Sequence, residues 1–132
     1  MPRQLFVNLP VKDLDRSVAF FGGLGFEFNP AFTNADATCM LIGSDCFAML
    51  LVEPFFATFT SRAIADTRTA VEVINALGLD SREQVDAMVD KALATGGGAA
   101  GEPKDLGFMY QRSFHDPDGH LWEVFHMSAM PG

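Results

Sequence analysis

The chain repeats one order of local patterns in its two halves. Each half has a strand-like run, a helix with a polar N-cap, and further strand-like runs separated by turn residues. Each helix can cover only one face of a small sheet, so the other face must be buried elsewhere. The repeat predicts an α+β fold of two βαβββ modules, whose cupped sheets form a cleft. The sequence leaves open whether two modules pair within one chain or across a dimer.

The boundaries of the patterns define the modules. Asp13 and Ser81 are the predicted helix caps, and glycines end both helices. The predicted strands cover residues 5–11, 26–28, 38–42, 47–52, 71–79, 108–114 and 121–127. The first module therefore spans about residues 5–53, a connector about 54–69, and the second module about 70–127, within a single domain of 132 residues.

Composition excludes several classes of function. A formal charge of −8 and nine scattered basic residues argue against a nucleic-acid surface. No apolar run approaches the roughly 18 residues needed to span a membrane, and the N-terminus has no signal-peptide pattern. Without an export signal, Cys39 and Cys46 are expected to be reduced thiols rather than a disulfide. We therefore predict a cytoplasmic protein that binds neither nucleic acid nor membranes.

Two motifs carry a resemblance to a known superfamily. The passage Val11–Phe21 (VKDLDRSVAFF), followed by Leu24-Gly25-Phe26, resembles the first strand–helix–strand passage of vicinal-oxygen-chelate proteins. This superfamily contains glyoxalase I, bleomycin-resistance proteins and extradiol dioxygenases. The segment Asp116–Glu123 (DPDGHLWE) resembles their last hairpin, a DPDG turn followed by a strand that carries Glu. With the repeat, the resemblance covers nearly the whole chain and implies the glyoxalase/bleomycin-resistance fold.

The same resemblance implies a divalent metal held by the first and last strands of each module. Carried onto this chain, the ligand positions fall on Phe6, on Leu50 (Met49 if the register is shifted by one), on Ile74 and on Glu123. Only Glu123 keeps a ligand, and one carboxylate among apolar side chains does not compensate the dehydration of a divalent ion. We predict no metal and no other cofactor.

The last hairpin supplies the predicted polar centre of the cleft. If Asp116–Gly119 forms a four-residue loop, His115 pairs with His120 and Arg112 pairs with Glu123. Cross-strand partners share a face, so the Arg112 guanidinium would stand where a cation is expected. The pair is then either an internal ion pair that neutralises Glu123 or an anchor for a polar ligand.

The same alternation along the strands assigns the remaining cleft residues. Asn8 is the one hydrogen-bonding side chain in the middle of the first strand, and the others are mostly apolar residues that could equally be core. Leu121 and Met127 extend the same wall, whereas Trp122 and His126 are expected on the helix side. The predicted cleft residues are Phe6, Asn8, Leu50, Ile74, Tyr110, Arg112, Phe114, Glu123 and Phe125.

Two main functions remain open at this point. One is metal-independent binding of a small organic molecule in an apolar cleft with an Arg/Glu centre, similar to the bleomycin-resistance branch. The other is an enzyme, either a divergent glyoxalase-I-like lyase (lactoylglutathione lyase type) or one in which Glu123 acts as a general base. Glu123 is the best catalytic candidate. A fold that only mediates protein contacts is a third possibility. The resemblance also implies a homodimer.

Overall fold

The structure, a computed structural model, describes residues 3–128. The chain divides into two compact units, with the boundary between residues 64 and 65. One unit contains a four-stranded sheet and the other a five-stranded sheet, and each sheet has a helix on one face. The two units are described separately below. The helices and strands are β1 (Leu5–Val11), α1 (Leu14–Gly23), β2 (Glu27–Asn29), β3 (Ala37–Leu41), β4 (Cys46–Val52), α2 (Glu53–Phe56), β5 (Ile74–Gly78), α3 (Arg82–Ala94), β6 (Gly98–Ala99), β7 (Lys104–Asp105), β8 (Met109–His115) and β9 (Leu121–Met127). This order confirms the predicted α+β fold with its repeated strand–helix–strands pattern.

The first unit is a four-stranded sheet in the order β1-β4-β3-β2. Strand β1 runs parallel to β4, and the other neighbours are antiparallel. Alternate residues of β1 are buried, with Leu9 and Val11 at 2% and 1% exposure, and these face the core that α1 closes with Phe20 and Phe21. The predicted cap is confirmed, because the Asp13 carboxylate accepts a hydrogen bond from the backbone N–H three residues later.

The second unit is built on the parallel pair β5-β9, followed by antiparallel β8. Two short strands, β6 and β7, pair with successive parts of β8, so the third strand of this module is divided by a polar loop. Helix α3 packs on this sheet through Val85, Val89 and Ala92, which recur at the three- to four-residue spacing of one helix face. Its predicted cap is also confirmed, since the Ser81 hydroxyl accepts from the backbone N–H of Gln84.

Strand β5 begins at Ile74, three residues later than the sequence pattern suggests. The residues before β5 instead form an irregular segment that runs alongside the turn of the last hairpin. The Thr67 hydroxyl donates to the backbone carbonyl of Asp118, and the Glu72 carboxylate lies 2.8 Å from Nδ1 of His120. These contacts hold residues 65–73 against the hairpin turn. Within residues 3–128, no helix is long and apolar enough to cross a membrane.

Candidate functional site

The last hairpin closes through a five-residue turn, Asp116–His120, one residue longer than predicted. The Asp116 carboxylate lies at its centre. It accepts hydrogen bonds from the backbone N–H groups of Asp118 (2.9 Å) and His120 (3.0 Å) and from the indole N–H of Trp122 (3.0 Å). Burial raises the pKa of Asp116, although these donors and the nearby His120 oppose the rise. The carboxylate therefore fixes His120 in the turn rather than at the start of the strand.

This one-residue difference reverses the face on which every β8 side chain lies. Ser113 pairs with Glu123, and Arg112 pairs with Val124. Because side chains alternate along a strand, a register shift of one residue exchanges the two faces of the sheet. The predicted pairing of Arg112 with Glu123 is therefore wrong.

Arg112 instead contacts helix α3. Its guanidinium lies 3.0 Å from the Asp86 carboxylate and 2.9 Å from that of Asp90, and the Tyr110 hydroxyl donates to Asp86 at 2.7 Å. The Tyr110 hydrogen bond lowers the pKa of Asp86 against the effect of burial, and Arg112 lowers it further. Burial acts to lower the pKa of Arg112, but the two aspartates outweigh it and the pKa is raised. Tyr110 and Arg112 were expected in the cleft, and both predictions are wrong because α3 covers this face.

Phe114 was also expected in the cleft and is instead a core residue. Its side chain is 0% exposed and its ring is parallel to that of Trp122, with centroids 6.5 Å apart. Trp122 and His126 lie on this helix-covered face, as predicted, since they pair with Phe114 and Tyr110 respectively.

The opposite face of the second sheet is not covered by α3, and we call it the open face. Its side chains are exposed or half-buried, with Ile74 at 50% exposure. Three residues predicted for the cleft, Ile74, Glu123 and Phe125, share it. By register, the open face consists of Ile74, Ala76 and Gly78 from β5, Leu121, Glu123, Phe125 and Met127 from β9, and Met109, Gln111, Ser113 and His115 from β8.

The sequence reasoning missed the β8 members of the open face, among them Gln111, Ser113 and His115. With a four-residue loop, these residues of β8 would share the helix side with Trp122. A turn of either length suits Asp-Pro-Asp-Gly, so the motif contains no local signal that selects the longer one. The signal that could have found it is Trp122, whose buried indole N–H needs an acceptor and donates to the Asp116 carboxylate.

Glu123 lies between two small side chains on the open face. Its partner on β5 is Ala76 and its partner on β8 is Ser113. Among residues 3–128, no hydrogen bond or ion pair is formed by the Glu123 carboxylate. Next along the strand, the Phe125 ring extends over Gly78, where an added Cβ would lie 3.2 Å from the ring Cζ. We call the gap that these small side chains leave around the Glu123 carboxylate the recess, and Phe125 is the next residue of β9 on the same face.

Two arginines of the second unit form ion pairs with aspartates, and one lysine on the open face is separated from Glu123 by a strand. Arg68 pairs with Asp66 at 2.9 Å, and Arg82 pairs with Asp105 at 2.8 Å. The Arg82 hydrogen bonds lower the pKa of Asp105 to about 2. Lys104 is opposite Gln111 and shares the open face, but it lies on the outer strand β7, with β8 between it and β9.

In the first unit, Phe6 and Asn8 share the face opposite the helix-covered core. The Phe6 ring stacks on Phe47, with centroids 4.6 Å apart, and Met49 is the register partner of Asn8. Leu50 is the partner of Leu9 in the core and is 1% exposed. The assignment of Leu50 to a ligand-facing position is therefore wrong, and the one-residue alternative, Met49, occupies the face that Phe6 shares.

The residues at the implied metal positions do not fit a divalent ion. Phe6 and Ile74 have no lone pair, and Met49 offers only a soft thioether, so Glu123 would be the one hard ligand. Within the described part of the chain, no group of three His, Cys, Asp or Glu side chains is arranged to hold a metal ion.

A second group of titratable side chains lies under the hairpin turn. His120 is 1% exposed, and its Nδ1 faces the Glu72 carboxylate at 2.8 Å. The Asp116 carboxylate accepts from the His120 backbone. A buried imidazole with these contacts has no access to a ligand, so we interpret the group as structural.

Comparison with known proteins gives a match to a family model over part of the chain and solved structures with a similar fold. Residues 3–43 match a family model described as bleomycin resistance protein-like N-terminal. A search of curated protein sequences finds no match. A hypothetical protein, SA1046, from S. aureus is 28% identical, with a TM-score of 0.80 over 96% of this chain and 95% of that one.

Two further solved structures share the fold at lower identity. A glyoxalase-related enzyme from Fulvimarina pelagi is 19% identical, with a TM-score of 0.81 over 99% of this chain and 92% of that one. A bleomycin resistance determinant encoded on the transposon Tn5 is 20% identical, with a TM-score of 0.66 over 97% of this chain and all (100%) of that one. The similarity to both extends over nearly the full length of each chain.

Proposed function

Because this chain has the fold of the vicinal-oxygen-chelate superfamily, as the sequence motifs predict, we propose that it binds a small organic molecule without a metal ion. The open face of the second unit is the surface that contacts the ligand. This proposal is supported by one observation above all. The face is apolar apart from a few polar side chains, and its carboxylate, Glu123, is not used by any contact within residues 3–128.

Binding is better supported than catalysis. A glyoxalase-I-like lyase would require metal ligands at positions that here carry Phe6, Met49 and Ile74. A general-base enzyme would require Glu123 to act with further reacting groups, yet neither Ser113 nor His115 forms a hydrogen bond to it in the described chain. We therefore propose a binding protein, with the lyase as the alternative.

We predict that ligand binding is independent of metal. Uniformly ¹⁵N-labelled protein would be titrated with a set of small aromatic amines, alcohols and acids, and amide shifts would be followed by NMR. We expect the shifts to concentrate in β5 and β9 and to be unchanged by EDTA, because Glu123 is the one hard ligand at the implied metal positions. Stoichiometric Ni, Zn or Fe surviving dialysis, or binding that EDTA abolishes, would contradict the proposal.

We also propose that the protein is a homodimer. Within their own units, β1 and β5 are edge strands, and both expose large apolar side chains. Leu5 is 58% exposed, Phe6 44% and Ile74 50%. Exposed large apolar side chains on an edge strand are typical of association surfaces. Sedimentation velocity at micromolar concentration should give a species of twice the chain mass of 14.3 kDa, and a single monomeric species would refute this.

A cytoplasmic location is part of the same proposal. Cys39 and Cys46 are free thiols, as the sequence predicts. Burial raises the pKa of the Cys39 thiol, which favours the unreactive protonated form. Two unpaired thiols are typical of proteins in a reducing compartment.

A further inference from the structure

We infer that the recess at Glu123 binds the protonated amino group of an apolar amine. The inference rests on the proposed function and names the ligand class of that same face. It follows from the side chains that surround the carboxylate, from the charges near it, and from the aromatic ring beside it.

The recess is defined by the register of three strands. Glu123 lies on the central strand, with Ala76 on one side and Ser113 on the other. Directly opposite residues on neighbouring strands have Cβ atoms about 4.5–5.5 Å apart, so larger side chains at either position would cover the carboxylate. Ala76 and Ser113 leave it accessible. Leu121 and Phe125, two residues away on the same strand, rise on either side.

Within residues 3–128, no basic side chain pairs with the carboxylate in the recess. Glu123 is half-buried and forms no ion pair within residues 3–128, whereas Arg82 and Arg112 are bound to aspartates at 2.8–3.0 Å. A partly desolvated carboxylate gains most from a ligand that carries its own positive charge. The net charge of −8 also favours cations and disfavours anions at this surface.

The ring of Phe125 indicates where the rest of the ligand lies. It extends over Gly78, which has no side chain to displace it. Phe125 is the residue of β9 that follows Glu123 on this face, so a ligand whose ammonium binds Glu123 can place its apolar part against the ring. Ile74 and Leu121, which are register partners, form an apolar surface on the other side. A short aromatic or aliphatic amine fits this arrangement, with its apolar part on the side chains and its N–H groups on Glu123.

The test compares three probes of the same size and different charge: 2-phenylethylamine, 2-phenylethanol and phenylacetate. Each would be titrated into the full chain near pH 7, and dissociation constants taken from NMR shifts of β5 and β9 amides. We expect the amine to bind about tenfold or more tightly than the alcohol, since hydrogen bonds to a charged group contribute that much. We expect phenylacetate to bind weakest.

Two variants assign the preference to Glu123. Glu123→Gln keeps the shape and removes the charge, so the amine should lose its advantage of about tenfold. Ala76→Leu should fill the recess and weaken the amine similarly, which provides a second test if the first variant folds poorly. The matched control is Glu102→Gln, which removes one charge from an exposed loop and should leave all three constants within about twofold.

The outcomes separate this inference from the proposed function. If the alcohol binds as tightly as the amine, or if Glu123→Gln retains the preference for the amine, the inference is wrong. Binding at the open face would still support the proposed function. If none of the probes shifts open-face resonances while the protein is folded, the result contradicts both the amine preference and ligand binding at the open face.

Discussion

Replacing Asp116 with alanine will lower the free energy of unfolding by about 3–5 kcal/mol, because three hydrogen-bond donors lose their acceptor inside the protein. The Asp116 side chain accepts from two backbone N–H groups of its own turn and from the Trp122 indole, and Asp116 is only 4% exposed. Each buried donor without a partner costs about 1–3 kcal/mol. Urea denaturation monitored by circular dichroism would measure the difference.

Two further variants divide this loss between the backbone and the indole. Trp122→Phe removes only one donor and keeps an aromatic ring, so we expect a smaller loss of about 1–2 kcal/mol. Asp116→Asn keeps an oxygen for the backbone donors but turns its own N–H group toward the indole N–H of Trp122. Its loss of unfolding free energy should therefore lie between those of Asp116→Ala and Trp122→Phe. A loss below about 1 kcal/mol for Asp116→Ala would show that the turn does not depend on the carboxylate.

The local features of the fold could be predicted from the sequence because short-range patterns determine them. Asp13 and Ser81 cap their helices as expected, since an N-cap depends on residues within one turn. Strand β9 has the predicted bounds, because a polar turn precedes it and its side chains alternate between the two faces. The superfamily resemblance depended on the same local motifs, and the structure has the fold that this resemblance implies.

The register of the last hairpin could not be predicted in the same way. It depends on whether the turn contains four or five residues, and both lengths suit Asp-Pro-Asp-Gly. The choice is made by contacts that the strand pattern does not contain, namely Trp122 with Asp116 and His120 with Glu72, which lies 48 residues earlier. Because the difference is a single residue, it exchanged the faces of Arg112 and Ser113 relative to Glu123.

This correction changes the chemistry expected of the site. A Glu123 paired with Arg112 would be neutralised and would accept a polar or anionic ligand at the guanidinium. In the structure Arg112 binds Asp86 and Asp90 on α3, and Glu123 faces only Ala76 and Ser113 across the strands. Within residues 3–128, the polar centre of the face is therefore a negative charge without an ion-pair partner, which favours the cationic ligand that we propose.

The end of helix α3 provides the second large stability effect that we expect. Gly97 passes between two backbone carbonyl oxygens, and an added Cβ would lie 2.8 Å from that of Ala92 and 2.9 Å from that of His115. Its N–H donates to the Ala92 carbonyl at 2.8 Å, so the backbone cannot move away without breaking this bond. Gly97 does not have a positive φ, so any penalty for alanine there is steric rather than conformational.

Gly97→Ala should lower the free energy of unfolding by about 2–3 kcal/mol, which is the usual cost of forcing a methyl group into a packed site. Its neighbour supplies a matched control. A Cβ at Gly98 would meet only the His115 Cβ at 3.7 Å, an ordinary contact, so Gly98→Ala should change stability by less than about 1 kcal/mol. Equal losses in urea denaturation of the two variants would contradict the prediction. Since His115 ends strand β8 on the open face, Gly97→Ala should also shift the amide resonances of that strand, whereas Gly98→Ala should leave them nearly unchanged.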